Sequence, residues 1–150
     1  KDPFLFVELV KLYFGKNDLE TAKKYLEEGK KLKEMGEFYL YEGLIEELKG
    51  NDDKAIEIFE KGVKAFPFHV ELNFHLGRIY YKKERLDEAI ARWEFLANNV
   101  FPNHSNSLYF LALAYEKKGN KEKALYYLQR VRDLNPGVEE IQKKIEELKK

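Results

Sequence analysis

The stretch GNDDKAIEIFEKGVKAFP, from Gly50 to Pro67, returns loosely rewritten as GNKEKALYYLQRVRDLNP, from Gly119 to Pro136. Both copies begin with a glycine, end with a proline and keep the same alanine between them. That alanine recurs along the chain at intervals of 33, 34 and 35 residues, as Ala22, Ala55, Ala89 and Ala124. Self-similarity at such a period indicates stacked repeats, and the sequence therefore predicts four of them.

Each repeat has the pattern of two helices followed by a break. Apolar residues recur at helical spacing, as in Leu72, Leu76 and Ile79, and no stretch alternates with a period of two for long. Because proline cannot continue a helix, it marks the end of a repeat strongly. The breaks lie at Gly36, Pro67, Pro102 and Pro136. The predicted helices span residues 3–14, 18–34, 36–49, 53–65, 69–83, 86–98, 105–118, 121–134 and 138–149.

Several helix starts carry side chains that can accept backbone N–H groups. Asp2 precedes a proline, which suits the first helical position. Asp18 and Asp52 stand where the second helices of the first two repeats begin, and either Asn103 or Ser105 can serve the first helix of the last repeat. We expect these side chains to cap their helices.

These features resemble the tetratricopeptide repeat (TPR) family, whose pattern is W-x2-L-G-x2-Y, then A-x3-F, then P. The third repeat matches best, through Leu76, Gly77, Tyr80, Ala89, Trp93 and Pro102. The resemblance covers nearly the whole chain. It implies an all-α fold, a right-handed α-solenoid of stacked antiparallel helix pairs in a single domain, 1–150. The expected repeats are about 3–35, 36–69, 70–104 and 105–137, with a capping helix at 138–150.

Two repeats depart from the pattern. In the second repeat, Glu42 and Glu46 stand where Leu and Tyr are usual. Either its first helix is rotated, burying Phe38, Tyr41, Ile45 and Leu48, or those carboxylates are exposed. The first repeat has no terminal proline, so nothing in its sequence stops the second helix from running on toward Met35.

Composition excludes several classes of protein. The 150 residues carry 27 basic and 27 acidic side chains, whereas a nucleic-acid binder normally has a basic excess. No stretch approaches the roughly 20 apolar residues of a membrane helix, so we expect no membrane insertion. There is no cysteine, and the compartment is left open. Abundant Lys and Glu suggest a thermophile source. The chain begins with Lys1, and we expect a mature form or an excised domain.

The two ends of the chain differ in character. The last segment places Val138, Ile141, Ile145 and Leu148 on one stripe of an otherwise charged helix, as a capping helix should. The first segment is apolar on nearly all sides, through Phe4, Leu5, Phe6 and Leu9. Preceding residues or another molecule would cover it, so self-assembly through the terminal repeats is an alternative function.

Catalytic constellations are missing from the sequence. It has no nucleophile elbow, no phosphate-binding glycine loop and no zinc-type histidine spacing. His69 and His75 are six residues apart and do not share a helix face at ligand spacing, and His104 stands alone. We therefore predict no metal, no cofactor and no enzyme activity.

The resemblance places partner binding on the concave side, at positions 2, 5, 9 and 12 of each first helix. The predicted partner-binding residues are Phe4, Val7, Lys11, Phe14, Leu40, Leu44, Phe74, Arg78, Tyr81, Tyr109 and Leu113. The remaining positions hold Glu37, Glu47, Glu71, Asn106 and Glu116. The chain lacks the Lys, Asn and Arg set with which some relatives hold a chaperone tail. Aromatic residues and arginine are common hot spots, so Phe74, Arg78, Tyr81 and Tyr109 lead the prediction. The predicted function is a non-catalytic scaffold that binds a peptide or helical segment of another protein.

Overall fold

The computed structural model describes residues 1–150 and contains nine α-helices and no strand. The helices are α1 (Pro3–Gly15), α2 (Leu19–Leu32), α3 (Gly36–Leu48), α4 (Asp52–Ala65), α5 (Val70–Lys82), α6 (Leu86–Asn99), α7 (Ser105–Lys117), α8 (Lys121–Leu134) and α9 (Glu139–Lys149). Every predicted end lies within two residues of the observed one, so the all-α prediction is confirmed. None of the helices is long and apolar enough to cross a membrane.

The chain divides into two compact units, which we describe separately. In the N-terminal unit, Lys1–Leu76, helix α1 packs against α2 and α3, α2 also packs against α3, and α3 packs against α4. In the C-terminal unit, Gly77–Lys150, helix α7 packs against α6 and α8, and α8 packs against α9. Within each unit, sequential helices are therefore neighbours, as in stacked helical hairpins.

The turn between the two helices of each repeat has the same backbone geometry. Counted from the first residue of α1, α3, α5 and α7, position 15 always has a positive φ: Asn17 (61°), Gly50 (85°), Glu84 (60°) and Gly119 (81°). Glycine adopts this left-handed conformation without steric cost. This explains why the repeated phrase opens with Gly50 and Gly119.

We expect Glu84→Gly to stabilise the protein by up to about 1 kcal/mol. A non-glycine residue in the left-handed region costs roughly 1–2 kcal/mol, which exceeds the roughly 0.5–1 kcal/mol of chain entropy that glycine loses on folding. The lost ion pair with Lys117 is exposed and contributes little. Urea unfolding measures the change. Lys83→Gly is the control and should destabilise, and a Glu84→Gly variant no more stable than wild type would contradict the argument.

Small residues stand where the two helices of a hairpin approach most closely. A Cβ atom added at Gly43 would overlap the ring of Phe59, and one added at Gly77 would overlap the indole of Trp93. Both rings are fully buried. The glycine at position 8 of the repeat, on the first helix, therefore makes room for the large aromatic ring at position 24 of the repeat, on the second helix.

The helix starts agree with the predicted caps in part. Asp2 accepts the N–H of Phe4 at 2.9 Å, and Asp18 accepts that of Thr21 at 3.2 Å, so these two predictions are confirmed. The prediction for Asp52 is wrong, because that residue is already the first of α4 and Asn51 precedes it. Before α7 the cap is neither Asn103 nor Ser105. It is the ring Nδ1 of His104, which accepts the N–H of Ser107 at 3.3 Å.

The second repeat buries one of its two unusual carboxylates. Glu46 is only 4% exposed and accepts a hydrogen bond from the Asn51 side chain at 2.9 Å, with the Lys54 ammonium 3.7 Å away. The bond from Asn51 lowers the pKa of Glu46 although burial opposes the shift. Glu42 is half-buried and accepts a hydrogen bond from Lys30 at 2.9 Å. Neither carboxylate is therefore simply exposed.

Helix α3 also buries only part of its expected apolar face. Phe38 and Ile45 are buried, as the rotated alternative predicts, whereas Tyr41 is half-buried and Leu48 is exposed. Helix α2 stops at Leu32 and does not continue to Met35, because the next residue has an extended backbone.

The last helix covers part of the C-terminal unit. Ile141 and Ile145 are buried where α9 packs against α8. Val138 precedes the helix and is exposed, and Leu148 is half-buried. The Lys144 ammonium lies 3.6 Å from the Glu116 carboxylate on α7. The four-repeat division with its cap stays a prediction.

Candidate functional site

The predicted partner-binding residues fall into buried and accessible sets. Val7, Leu40 and Phe74 are buried at 5%, 6% and 7% exposure, so they act in packing and present almost no surface to a partner. This corrects their assignment as contact residues. Those with accessible surface are Phe4, Lys11, Phe14, Leu44, Arg78, Tyr81, Tyr109 and Leu113.

In the N-terminal unit, the accessible first-helix side chains form an aromatic pair with charged neighbours. The rings of Phe14 and Tyr41 meet edge to face, with centroids 5.1 Å apart. Burial raises the pKa of the Tyr41 phenol, while the positive charge of Lys11 lowers it and the Glu71 carboxylate raises it further. Lys11 also donates a hydrogen bond to Glu8 at 3.2 Å. The net effect of these groups is a raised pKa of the Tyr41 phenol.

Two other predicted contact residues of this unit lie outside that pair. Phe4 is exposed at the start of α1, with the Lys33 ammonium 5.8 Å from its ring centroid. Leu44 is half-buried on α3.

In the C-terminal unit, three half-exposed aromatic side chains form what we call the aromatic platform: Tyr81, Tyr109 and Phe110. The ring of Phe110 meets that of Tyr81 edge to face at 5.8 Å and that of Tyr109 at 6.2 Å. The fully buried ring of Trp93 lies 5.2 Å from Phe110 and 5.9 Å from Tyr81. The platform is therefore held by a rigid aromatic ring of the core.

A lysine covers one edge of the platform. The Lys117 ammonium lies 4.6 Å from the centroid of the Tyr81 ring and 3.2 Å from the Glu84 carboxylate. The hydrogen bond to Glu84 raises the pKa of Lys117. The Lys117 side chain is itself exposed. Arg78 is half-buried on the same helix as Tyr81.

A cavity of about 260 Å³ lies beside Tyr109. Its lining residues are Ser105, Asn106, Tyr109, Val131, Asn135, Val138, Glu140 and Ile141. The Asn135 amide donates a hydrogen bond to the Ser105 hydroxyl at 3.0 Å across one side. Binding sites for whole small molecules have roughly 300–1,000 Å³, so this cavity has the size for one large side chain. Asn106 and Tyr109, at positions 2 and 5 of α7, both line this cavity.

The sequence reasoning missed two aromatic residues of these surfaces as contact candidates. Tyr41 and Phe110 both occupy position 6 of their repeats, next to the assumed contact position 5. The signal was present, because position 6 is four residues from position 2 and three from position 9 and is therefore a neighbour of both on the helix surface.

The three histidines serve local structure. The ring Nδ1 of His69 accepts the N–H of Leu72 at 3.2 Å, as that of His104 does for Ser107. The ring of His75 stacks on Phe59 at 6.4 Å. No group of three or more His, Cys, Asp or Glu side chains is placed to hold a metal ion.

Comparison with known proteins identifies the repeat. A family model described as a tetratricopeptide repeat matches residues 7–70, 53–94 and 74–139. A human relative, RanBP2-like and GRIP domain-containing protein 3, is 28% identical over 93 residues, which are 61% of this chain. That match spans only 5% of the human protein.

Solved structures share the fold. PilF of Pseudomonas aeruginosa superposes with a TM-score of 0.87 at 16% identity, over 97% of this chain and 67% of PilF. YrrB, described as a TPR protein with an unusual peptide-binding site, superposes with a TM-score of 0.74 at 22% identity, over 90% of this chain and 70% of YrrB. At these identities the likeness concerns the fold alone.

Proposed function

Because the chain belongs to the tetratricopeptide repeat family, we propose that it is a non-catalytic interaction module that binds an apolar peptide or helical segment of another protein on its aromatic platform. The observation that carries the proposal is the cluster of half-exposed rings at Tyr81, Tyr109 and Phe110, supported from below by Trp93. The family supports the coarse role of protein binding, and the platform supports the choice of surface.

Aromatic side chains on a rigid support suit binding for an energetic reason. They bring a large contact area and lose little conformational freedom when a partner docks. The rings of the platform are already held by one another and by Trp93, so the free protein has already ordered them. A partner therefore binds without the entropy cost of ordering these rings.

The cavity beside Tyr109 indicates what the partner presents. Its walls combine apolar side chains, such as Val131 and Ile141, with the polar groups of Asn106 and Asn135 near the rim. One aliphatic or aromatic side chain of the partner would fill it, while neighbouring residues of the same segment lie on Tyr81 and Phe110. YrrB, with its peptide-binding site, supports peptide recognition on this fold.

Selection from a displayed library of random 12-residue peptides tests the proposal. We expect wild-type protein to enrich peptides with large apolar side chains. Tyr81→Ala combined with Tyr109→Ala should weaken binding of an enriched peptide by more than about tenfold, because truncating a hot-spot ring costs about 2 kcal/mol or more. Fluorescence anisotropy of the labelled peptide measures the dissociation constant.

Tyr126→Ala is the matched control, since it removes an exposed tyrosine from α8, a helix that carries no residue of the platform. This variant should bind the peptide as wild type does. Equal loss in both variants, or full binding by the double variant with unchanged helicity, would show that the platform is not the binding surface. The alternative role, self-assembly through the terminal repeats, stays a prediction.

A further inference from the structure

The cavity beside Tyr109 has a single charged residue in its lining. Seven of its eight lining residues are uncharged, and the eighth is Glu140, the second residue of α9. Counted as in the repeats, Glu140 holds position 2 of its helix, as Asn106 does in α7, and both line the cavity. An otherwise neutral cavity therefore carries one carboxylate.

The carboxylate of Glu140 forms no ion pair within the chain. Lys144, four residues further along α9, lies instead 3.6 Å from the carboxylate of Glu116 on α7. Arg130 on α8 donates a hydrogen bond to the backbone carbonyl of Pro102 at 2.7 Å. Glu140 is exposed, so its negative charge is accessible to a partner.

The first turn of a helix offers a structural reason for a glutamate. Acidic side chains near a helix N-terminus interact favourably with the helix dipole. Glu139 stands in the same turn of α9 and serves the same purpose, but it does not line the cavity. The two neighbouring glutamates therefore share the structural role and differ in their relation to the cavity.

A cavity with this lining suits an apolar side chain that has a positive charge next to it. Val131, Val138 and Ile141 supply apolar walls. An acidic residue of the partner at the rim would be repelled by Glu140, whereas a lysine or arginine would be attracted. Long basic side chains also lay their apolar stems along apolar surface while their charge stays in water.

We propose that Glu140 selects partner segments that carry a lysine or arginine next to the apolar side chain that fills the cavity. This inference rests on the proposed function, because it takes the segment to be bound on the aromatic platform and adds the chemistry of that segment. The apolar side chain enters the cavity, and the basic side chain lies over the rim with its charge beside Glu140.

The other end of the platform does not suit a basic side chain. The Lys117 ammonium already lies 4.6 Å from the centroid of the Tyr81 ring and is paired with Glu84 at 3.2 Å. A second cation at Tyr81 would meet that ammonium, and like charges repel. The basic residue of the segment therefore belongs at the cavity end of the platform.

Selection from the same peptide library, run separately on wild type, Glu140→Lys and Glu139→Lys, tests the inference. Peptides enriched by wild type should carry Lys or Arg next to the apolar anchor more often than the unselected library does. Glu140→Lys should enrich Asp or Glu at that place instead. Glu139→Lys is the matched control, since it makes the same charge change outside the cavity, and it should select the same peptides as wild type.

A double-mutant cycle measures the contact itself. Replacing the basic residue of an enriched peptide by alanine should weaken binding to wild type about two- to fivefold, the usual size for an exposed ion pair. The same replacement should leave binding to Glu140→Gln unchanged, whereas Glu139→Gln should respond as wild type does. Fluorescence anisotropy measures each dissociation constant. Raising the ionic strength should shrink the difference, because salt screens exposed charges.

The outcomes separate this inference from the proposed function. Enriched peptides without a basic residue, or an alanine replacement that weakens binding equally to wild type and Glu140→Gln, would overturn the inference and leave the platform in place. No enriched peptide at all, or full binding by the variant with Tyr81→Ala and Tyr109→Ala, would contradict the proposed function and this inference with it. Glu140 is exposed, so circular dichroism should show an unchanged fold in its variants.

Discussion

Replacing Trp93 by alanine is expected to lower the free energy of unfolding by about 3–5 kcal/mol, the usual cost of deleting a buried aromatic side chain. The indole is fully buried and contacts the rings of Tyr81 and Phe110 while filling the space above Gly77. No other side chain can fill the cavity without moving the helices, because core packing is dense. Urea unfolding followed by circular dichroism measures the loss.

Gly77→Ala should have opposite effects on stability in the wild-type protein and in the Trp93→Ala variant. In wild-type protein, Gly77→Ala should destabilise by about 1–3 kcal/mol, since the new Cβ overlaps the indole. In the Trp93→Ala background the overlap is gone, and alanine in a helix is more favourable than glycine by up to about 1 kcal/mol. Gly77→Ala should therefore stabilise the Trp93→Ala variant. Additive effects in this double-mutant cycle would show that the glycine does not serve the ring.

Phe38→Ala should also cost about 3–5 kcal/mol. Phe38 occupies position 3 of α3, is 1% exposed and packs over Gly29 of the preceding helix. The substitution removes most of the apolar contact at that point between two repeats. Thermal unfolding in dilute solution measures the effect.

Leu5→Ala provides the control, because Leu5 holds the same position of the repeat in α1 but is mostly exposed. In dilute solution it should change stability by less than about 0.5 kcal/mol, as is usual at the surface. A comparable loss in both variants would show that Leu5 is buried in the dilute protein and would contradict the observed difference between repeats.

Much of the fold could be predicted because it depends on local sequence patterns. Helical spacing and prolines set the helix bounds to within two residues, and the repeated alanines set the period. The left-handed turn is predictable at Gly50 and Gly119, because glycine favours a positive φ, but not at Asn17 or Glu84. In those two repeats the turn follows from the period alone.

The candidate site was predicted less well, since exposure depends on neighbours. Treating all first helices alike assigns position 5 to the partner surface in every repeat. In the structure that position is buried for Val7, Leu40 and Phe74 and accessible only for Tyr109. Position 6 is not among the contact positions that the family resemblance implies, yet in the structure it supplies Phe110 to the platform. A helix pattern gives the direction of a side chain, whereas the size of the residues packed around it decides whether it reaches solvent.

By itself, the sequence determined the helices, their breaks, the period and the membership of the repeat family, because each depends on residues within one repeat length. Only the tertiary structure decided which side chains at the same repeat position are buried and which are exposed. Leu5 and Phe38 both hold position 3, yet α2 covers Phe38 and no helix covers Leu5. Gly50 and Ala55, which open the repeated phrase, belong to the first category. The proposed binding surface belongs to the second category, because burial depends on the neighbouring residues as much as on the residue itself.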